Sequence, residues 1–363
     1  MELSNFKNSF NKNINTFFII NFKRIIQNKS NKKIDKTINI FKKMDNIIYF
    51  NYIPEKNNFV KKVKFIDKLS FILIDDKCKL QIRHLNNNSI ENFKENNFIN
   101  DFDILLEKNY EALIFECSHL NPIRLFDTNL NLKKSFFFED RSKEKIYDPI
   151  FVKVEPYSLN IFTGGNFLSK IDLITNKILY PKQNNNYNLL NCFDYYFDNS
   201  FYVLGSYNKN LLLCDFKTDQ IENKIKLNYS INQIQLINKN QILIGYRNSN
   251  KISLFDIRNL NQEIANFERI NFTQQKINFS IDLNRNILYS GDMNGKITLY
   301  NLNNYKKIRE LNFRDNISSI DTLDDYLIFS TGKRDFEIEL NNDEEEFNDF
   351  ENKKNYSIQI IKL

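Results

Sequence analysis

The chain contains no tryptophan, two histidines, four cysteines, five prolines and seven glycines in 363 residues. Each scarcity removes a class of function. His84 and His119 alone give little from which to build a metal centre or a histidine-based general acid–base pair. Cys78, Cys117, Cys192 and Cys214 are far apart and form no C-x-x-C pair. They read as buried, reduced thiols of a cytosolic or nuclear protein, not as zinc ligands or disulfides. The few glycines form no G-x-x-x-x-G-K-[ST], no G-x-G-x-x-G and no G-x-S-x-G, so phosphate-cradling loops and a nucleophile elbow are missing. No metal and no cofactor are expected, carboxylates form no pair that reads as catalytic, and the composition argues against an enzyme. Long apolar runs are scarce too. Ile14–Ile26 is apolar enough for a short helix but too short and too charged to span a bilayer, and no small-residue cleavage site follows it.

What is present is a large apolar and aromatic supply, 42% and 14% of residues, enough for one large repeat domain or two ordinary ones. Asparagine is about one residue in six, far above ordinary usage. With abundant Ile, Lys and Phe, this reads as the bias of an AT-rich genome and not as a functional signal. The tracts Asn86–Asn88 and Asn184–Asn186 read as loop filler, too short for a prion-like segment. Charge is uneven. Residues 1–44 carry ten Lys or Arg against Glu2 and Asp35, about +8 in a chain whose total is +6. Residues 1–45 are therefore a basic N-terminal extension, partly helical or disordered. Lys23, Arg24, Lys32 and Lys33 are its candidate phosphate contacts, and the bland alternative is a solubilising tail.

Six of the seven glycines fall in five similar places: FTGG (Gly164, Gly165), VLGSY (Gly205), LIGY (Gly245), YSGD (Gly291) and STGK (Gly332). The steps are about 41, 40, 46 and 41 residues, the period of a four-stranded propeller blade. A run of β-formers precedes each glycine, and a polar turn leads to a second run that alternates in polarity, as in KISLFD at 251–256 and KITLYN at 296–301. Glycine at the strand end permits positive φ or a close approach of a neighbouring chain. Pro122 fits the turn between the second and third strands of a blade. Phe126-Asp127, Phe255-Asp256 and Tyr300-Asn301 fill the slot where WD repeats carry Trp-Asp.

The fold expected is all-β: a seven-bladed WD-repeat β-propeller over residues 46–363 with the short basic extension. The blades span about 59–90, 97–140, 146–182, 189–226, 229–268, 275–312 and 316–363. Strand Ile47–Ile53 closes the last one, and an acidic insertion occupies about 335–355. Aligning the blades by their third strands places Lys79, Lys170, Lys251 and Lys296 at one position just before that strand. Pro122, followed by Arg124, and Asn210, preceded by Lys209, fill the same slot elsewhere. Arg247, Tyr207 and His119 lie in the same turns, all opening on one face. Cations interleaved with aromatics suit RNA phosphates and unpaired bases. Turn lysines are also simply solvent-exposed.

Several segments resemble the telomerase Cajal body protein family. NFVKKVKF at 58–65 is similar to its opening strand, HLNPIRLFDTNLNLKKSF at 119–136 to its N-P-I-H-x-W-D segment, and GSYNKNLLLCD at 205–215 to its G-S-Y blade. FDIRNL at 255–260 matches its W-D-[LI]-R, and TQQKINFSIDLNRNILYSGDMNGKITLYN at 273–301 follows its N-Q-R-I-x-F-D pattern. The resemblance covers roughly 58–363, and the acidic insertion also has a family counterpart. Departures are the absent tryptophans, Asn-rich turns in place of Asp-Pro-x-Gly, and about 45 residues before the propeller where the family has a long region.

The resemblance implies a non-enzymatic binding protein of the nucleus, in a Cajal-body-like compartment where one exists. It would bind a loop of H/ACA-type small nuclear RNA or telomerase RNA and support ribonucleoprotein assembly and telomere maintenance. It also implies ribonucleoprotein partners such as a dyskerin-type complex or telomerase subunits, a chaperonin for folding, and no membrane. A WD-repeat protein–protein scaffold of ribosome or spliceosome assembly is the alternative, since propellers host many functions.

Overall fold

The structure is a computed structural model and describes residues 50–52, 58–86, 89–106, 112–138, 148–179, 189–196, 198, 200–273, 275–333 and 356–363. The basic extension, with Lys23, Arg24, Lys32 and Lys33, and the acidic insertion lie outside the described residues.

Seven four-stranded antiparallel sheets follow one another, in sequence order except at the closure. Blade 1 holds β2 (Val60–Asp67), β3 (Ser70–Asp75), β4 (Lys79–His84) and β5 (Ile90–Lys94). Blade 2 holds β6 (Ile99–Leu106), β7 (Ala112–Ser118), β8 (Ile123–Phe126) and β9 (Leu132–Phe136). Blade 3 holds β10 (Phe151–Glu155), β11 (Asn160–Gly164), β12 (Leu168–Asp172) and β13 (Lys177–Leu179). Blade 4 holds β14 (Leu190–Tyr195), β15 (Phe201–Ser206), β16 (Asn210–Asp215) and β17 (Ile221–Lys226). Blade 5 holds β18 (Ile231–Asn238), β19 (Gln241–Tyr246), β20 (Lys251–Asp256) and β21 (Asn259–Glu268). Blade 6 holds β22 (Phe279–Asp282), β23 (Ile287–Gly291), β24 (Lys296–Asn301) and β25 (Lys307–Asn312). Blade 7 is β26 (Ile317–Leu323), β27 (Tyr326–Thr331) and β28 (Ser357–Lys362), completed by β1 (Phe50–Tyr52). Phe50 pairs with Ile360 and Tyr52 with Ile358, so strands from the two ends of the chain close the ring.

In each blade the four strands run outward from the axis in their sheet order, from β2 to β5 in blade 1, with blade 7 ordered β26, β27, β28, β1. The second strands are apolar runs buried on both faces, as in β3, β11, β15 and β23. The outer β17 and β21 are mostly exposed. Cores form between blades. Phe126 packs with blade 1 residues Ile72, Ile74, Leu80 and Ile82, its ring 4.7 Å from that of Phe93. Tyr300 packs on blade 5, 5.2 Å from Phe267, and Phe255 on blade 4. The aromatic that replaces tryptophan thus fills the seam with the preceding blade. Its polar neighbour caps the next turn. Asp127 Oδ1 accepts from the Asn129 and Asn131 amides, Asp256 Oδ1 from that of Arg258, and Asn301 Oδ1 from that of Asn303.

Gly332 has φ +129°, but the strand-end glycines Gly164, Gly205, Gly245 and Gly291 are required by crowding and not by φ. A Cβ on Gly205 would lie 2.6 Å from Cys192 Sγ and 2.7 Å from Ile231 Cγ2, across the seam with blade 5. Gly295, in the D-M-N-G turn, is the position with φ +76°.

Innermost strands of adjacent blades do not pair, so side chains join them through seven polar junctions. Ser319 Oγ and Asp321 Oδ2 accept from the amides of Val63 and Phe65, at 3.1 and 2.9 Å. Lys62 and Lys64 reach Asp101 and Asp103, each at 2.6 Å. Asp103 Oδ2 accepts from the Val154 amide at 2.9 Å, and Lys153 meets Asp194 at 3.6 Å. Asp194 Oδ2 accepts from the Leu236 amide, and Gln233 exchanges two hydrogen bonds with the Phe279 backbone. Ser280 Oγ lies 3.0 Å from Thr322 Oγ1. Burial opposes the charge on Lys153, but Asp194, Asp103 and Asp101 hold its pKa up at about 12.

Candidate nucleic-acid interface

The turns between second and third strands and the links between successive blades share one face. Backbone hydrogen bonds stitch the two sets together. The His119 amide donates to Phe98 O, Tyr207 to Leu189 O, Leu227 to Lys209 O, Arg247 to Ser230 O and Arg269 to Asn250 O. The segments resembling the family at 119–123, 205–210, 273–279 and 291–296 all fall here. FDIRNL lies at the opposite face, in the third-to-fourth strand turn.

Lys79, Lys251 and Lys296 each open their third strand, in the shared register expected of them. Lys170 does not, and its assignment is corrected. Gly164 pairs with Leu168, whereas Gly205 pairs with Leu211 and Gly291 with Ile297. The blade 3 turn is therefore two residues shorter, and Lys170 falls in the middle of β12. Its ammonium lies 5.5 Å from the Phe162 ring and 5.0 Å from that of Phe216. Its charge acts on Asp219, in the turn of blade 4 at the opposite face.

Three further cations on the expected ring are neutralised locally. Lys251 Nζ donates to both carboxylate oxygens of Glu263, at 2.7 and 2.9 Å. Burial raises the Glu263 pKa, but hydrogen bonds from Lys251 and Ser253 outweigh it and leave the carboxyl below its usual range. Lys296 Nζ is 3.8 Å from Glu310. Arg124 is paired with Glu95, lies 3.8 Å from Glu116 and covers the Phe93 ring. His119 Nδ1 is hydrogen-bonded to Asp148 at 2.9 Å and tethers the link between blades 2 and 3.

Of the remaining candidates Lys79 stands apart on blade 1, whereas Tyr207, Lys209 and Arg247 converge over blades 4 and 5. Arg247 Nη1 donates to Tyr207 Oη at 2.6 Å, with the guanidinium 4.5 Å from the Tyr207 ring centre. Tyr207, Lys209, Asn210 and Lys226 line a shallow hollow beside them. Lys209, at φ +69°, and Lys226 are exposed.

The larger signal was missed in the sequence. Among the described residues, the exposed large aromatics are Phe98, Phe137, Tyr229 and Phe272, at 50%, 68%, 41% and 67% exposure. All four lie on blade-to-blade links, hence on this one face. Lys61 Nζ sits 5.2 Å from the Phe98 ring. The link carrying Phe272 is firmly built. Buried Arg269 donates to Ile277 O and Tyr246 O, Asn271 Nδ2 also donates to Tyr246 O, and Asn232 reaches Ile277 O. A rigid base under an exposed ring is what a stacking platform requires. These aromatics sit in loops, where no periodicity marks them. A Phe in an otherwise polar link was the available signal.

Cys117, Cys192 and Cys214 are buried and free, as expected, while Cys78, in the blade 1 turn, is half-buried. No protein-family model matches the chain, and no curated protein matches it.

Proposed function

We propose that the protein is a non-enzymatic WD-repeat RNA-binding scaffold of the telomerase Cajal body protein type. Its link-bearing face holds an unpaired loop of an H/ACA-type small nuclear RNA or of telomerase RNA, as part of nuclear ribonucleoprotein assembly. The gathering of the four exposed aromatics on the face that also carries Lys209, Lys226 and the Tyr207–Arg247 pair carries this reading. Aromatic faces stack bases of any sequence, and exposed lysines beside them take phosphates. The family-like segments at 119–123, 205–210 and 273–279 support it by lying on that face.

The test is crosslinking in cells followed by sequencing of the attached RNA. Enrichment of H/ACA-type or telomerase RNA is expected. Recovery of stoichiometric protein partners with no RNA would overturn it in favour of a peptide-binding scaffold, which the same aromatic face could serve.

A further inference from the structure

The chain reaches β1 from the face opposite the links. In blade 7, Thr331 and Ser357 pair at the link-bearing end of β27 and β28, and Tyr326 and Lys362 pair at the other end. β1 runs antiparallel to β28, with Phe50 opposite Ile360 and Tyr52 opposite Ile358. The direction of β1 is therefore toward the links. The residues before Phe50 approach from the opposite face, at the outer edge of blade 7.

That face presents aliphatic side chains on both flanks of blade 7. Leu69 and Leu283 are 50% and 53% exposed, in the turns between first and second strands of blades 1 and 6. Lys68 meets Asp324 at 3.0 Å, and Arg285 pairs with Asp325, so both turns are tied to the matching turn of blade 7. Leu323 and Tyr326 of that turn are half-buried against the core shared by blades 7 and 1. The face is also acidic. Eleven carboxylates and six lysines or arginines occupy its described turns and the strand ends that cap them, so its net charge is negative. Each blade contributes at least one carboxylate, such as Asp67, which accepts from the Leu69 amide, and Asp282, which accepts from that of Asn284.

We propose that this face is the docking surface of the chain's own N-terminal extension, with Ile14–Ile26 lying over Leu69 and Leu283. The occupant follows from three observations. Eight of the thirteen residues from 14 to 26 are Ile or Phe, an apolar surface that gains by leaving water. The extension enters at blade 7, between the two exposed leucines, and residues 27–49 span up to about 75 Å when extended, enough to fold back over either one. Tethering raises the local concentration of the segment to about the millimolar range, so a shallow surface suffices. Its charge, ten Lys or Arg against Glu2 and Asp35 over residues 1–44, is opposite to that of the face. Docking there holds Lys23, Arg24, Lys32 and Lys33 away from the link-bearing face, so they are not its phosphate contacts. The inference does not rest on the RNA reading, because no residue of the link-bearing face enters it.

Zero-length crosslinking of the full chain with a carbodiimide, which joins lysine amines to carboxylates in contact, tests it. Lysines of the extension should link to Asp324 and Asp325, whose side chains are 54% and 57% exposed. Mixing isotope-labelled and unlabelled chains separates links within one chain from links between copies. Links from the extension to Asp148 or Asp315 of the link-bearing face overturn the proposal. So do links found only between copies, which would make a second molecule the occupant, and so does the absence of any link. Leu69→Asn combined with Leu283→Asn should remove the links at an unchanged melting temperature. It should also speed trypsin cleavage after Lys23 and Arg24 by about fivefold or more, because cleavage follows the undocked population. Leu132→Asn, at a 53% exposed position on the outer strand of blade 2, is the control and should change neither. A double variant cleaved and linked like wild type overturns the proposal, and if that variant does not fold, the wild-type links alone decide.

Discussion

Arg247 and Tyr207 lie 40 residues apart in sequence, and a 2.6 Å hydrogen bond joins them with the guanidinium over the ring. The pair couples the turns of blades 4 and 5 and orients a cation on the face proposed to bind RNA. Arg247→Ala should weaken RNA binding by about 1–3 kcal/mol, some five- to 150-fold. Tyr207→Phe, which keeps the ring and loses the hydroxyl, should cost less. Filter binding at one fixed salt concentration measures both. Unchanged affinity in Arg247→Ala would remove this pair from the interface.

Phe98 and Phe272 are half or more exposed, so truncating them should leave stability within about 0.5 kcal/mol. Each alanine substitution should still cost about 1–3 kcal/mol of RNA affinity if a base stacks there. Denaturation curves and binding isotherms on the same preparations separate the two effects. Loss of stability without loss of affinity would contradict the stacking role.

Lysines on the face divide by their partners. Lys209 and Lys226 are exposed, while Glu263 clamps Lys251. Replacing Lys209 or Lys226 by Gln should each lower the salt slope of RNA binding by about 0.7 for single-stranded contacts. Lys251→Gln should change it little. A uniform effect of all three on log K against log salt would show that the glutamate clamp does not matter.

Glu116 and Arg124 face each other across β7 and β8, yet Arg124 is committed to Glu95. Burial raises the Glu116 pKa to about 8, and a hydrogen bond from Ser118 only partly opposes it. The unfolded carboxyl titrates near 4.5. Between the two values the folded state holds the proton and the unfolded state releases it, so stability falls as pH rises across that window. The full effect is of the order of a few kcal/mol. Glu116→Gln should flatten that fall and leave the protein more stable at pH 8. Urea unfolding from pH 5 to 8 checks it, and parallel curves for the two proteins would refute the assignment.

The blade count, the ring closure and the common face of the turns were legible in the sequence. They rest on local patterns: strand-end glycines such as Gly205 and Gly291, alternating runs, and aromatic-polar pairs such as Phe255-Asp256. The lysine ring was only partly legible. Lys79, Lys251 and Lys296 held their register, but a turn two residues shorter moved Lys170 into β12 and toward the other face. Turn length depends on which residues pair, and strand composition does not reveal that.

Sequence alone thus determined that the chain forms repeating β units with one shared set of turns, because period-two burial and glycine spacing are properties of neighbouring residues. Tertiary structure decided which charges remain available. Glu263 reaches Lys251 and Glu310 reaches Lys296 from their blades' outer strands, and Asp101 reaches Lys62 from the neighbouring blade. It also decided that Phe98, Phe137, Tyr229 and Phe272 share a face and that four lysines meet Asp101, Asp103 and Asp321 in the channel. Electrostatic and stacking sites are sums over groups brought together across blades, and only closure of the ring sets those distances.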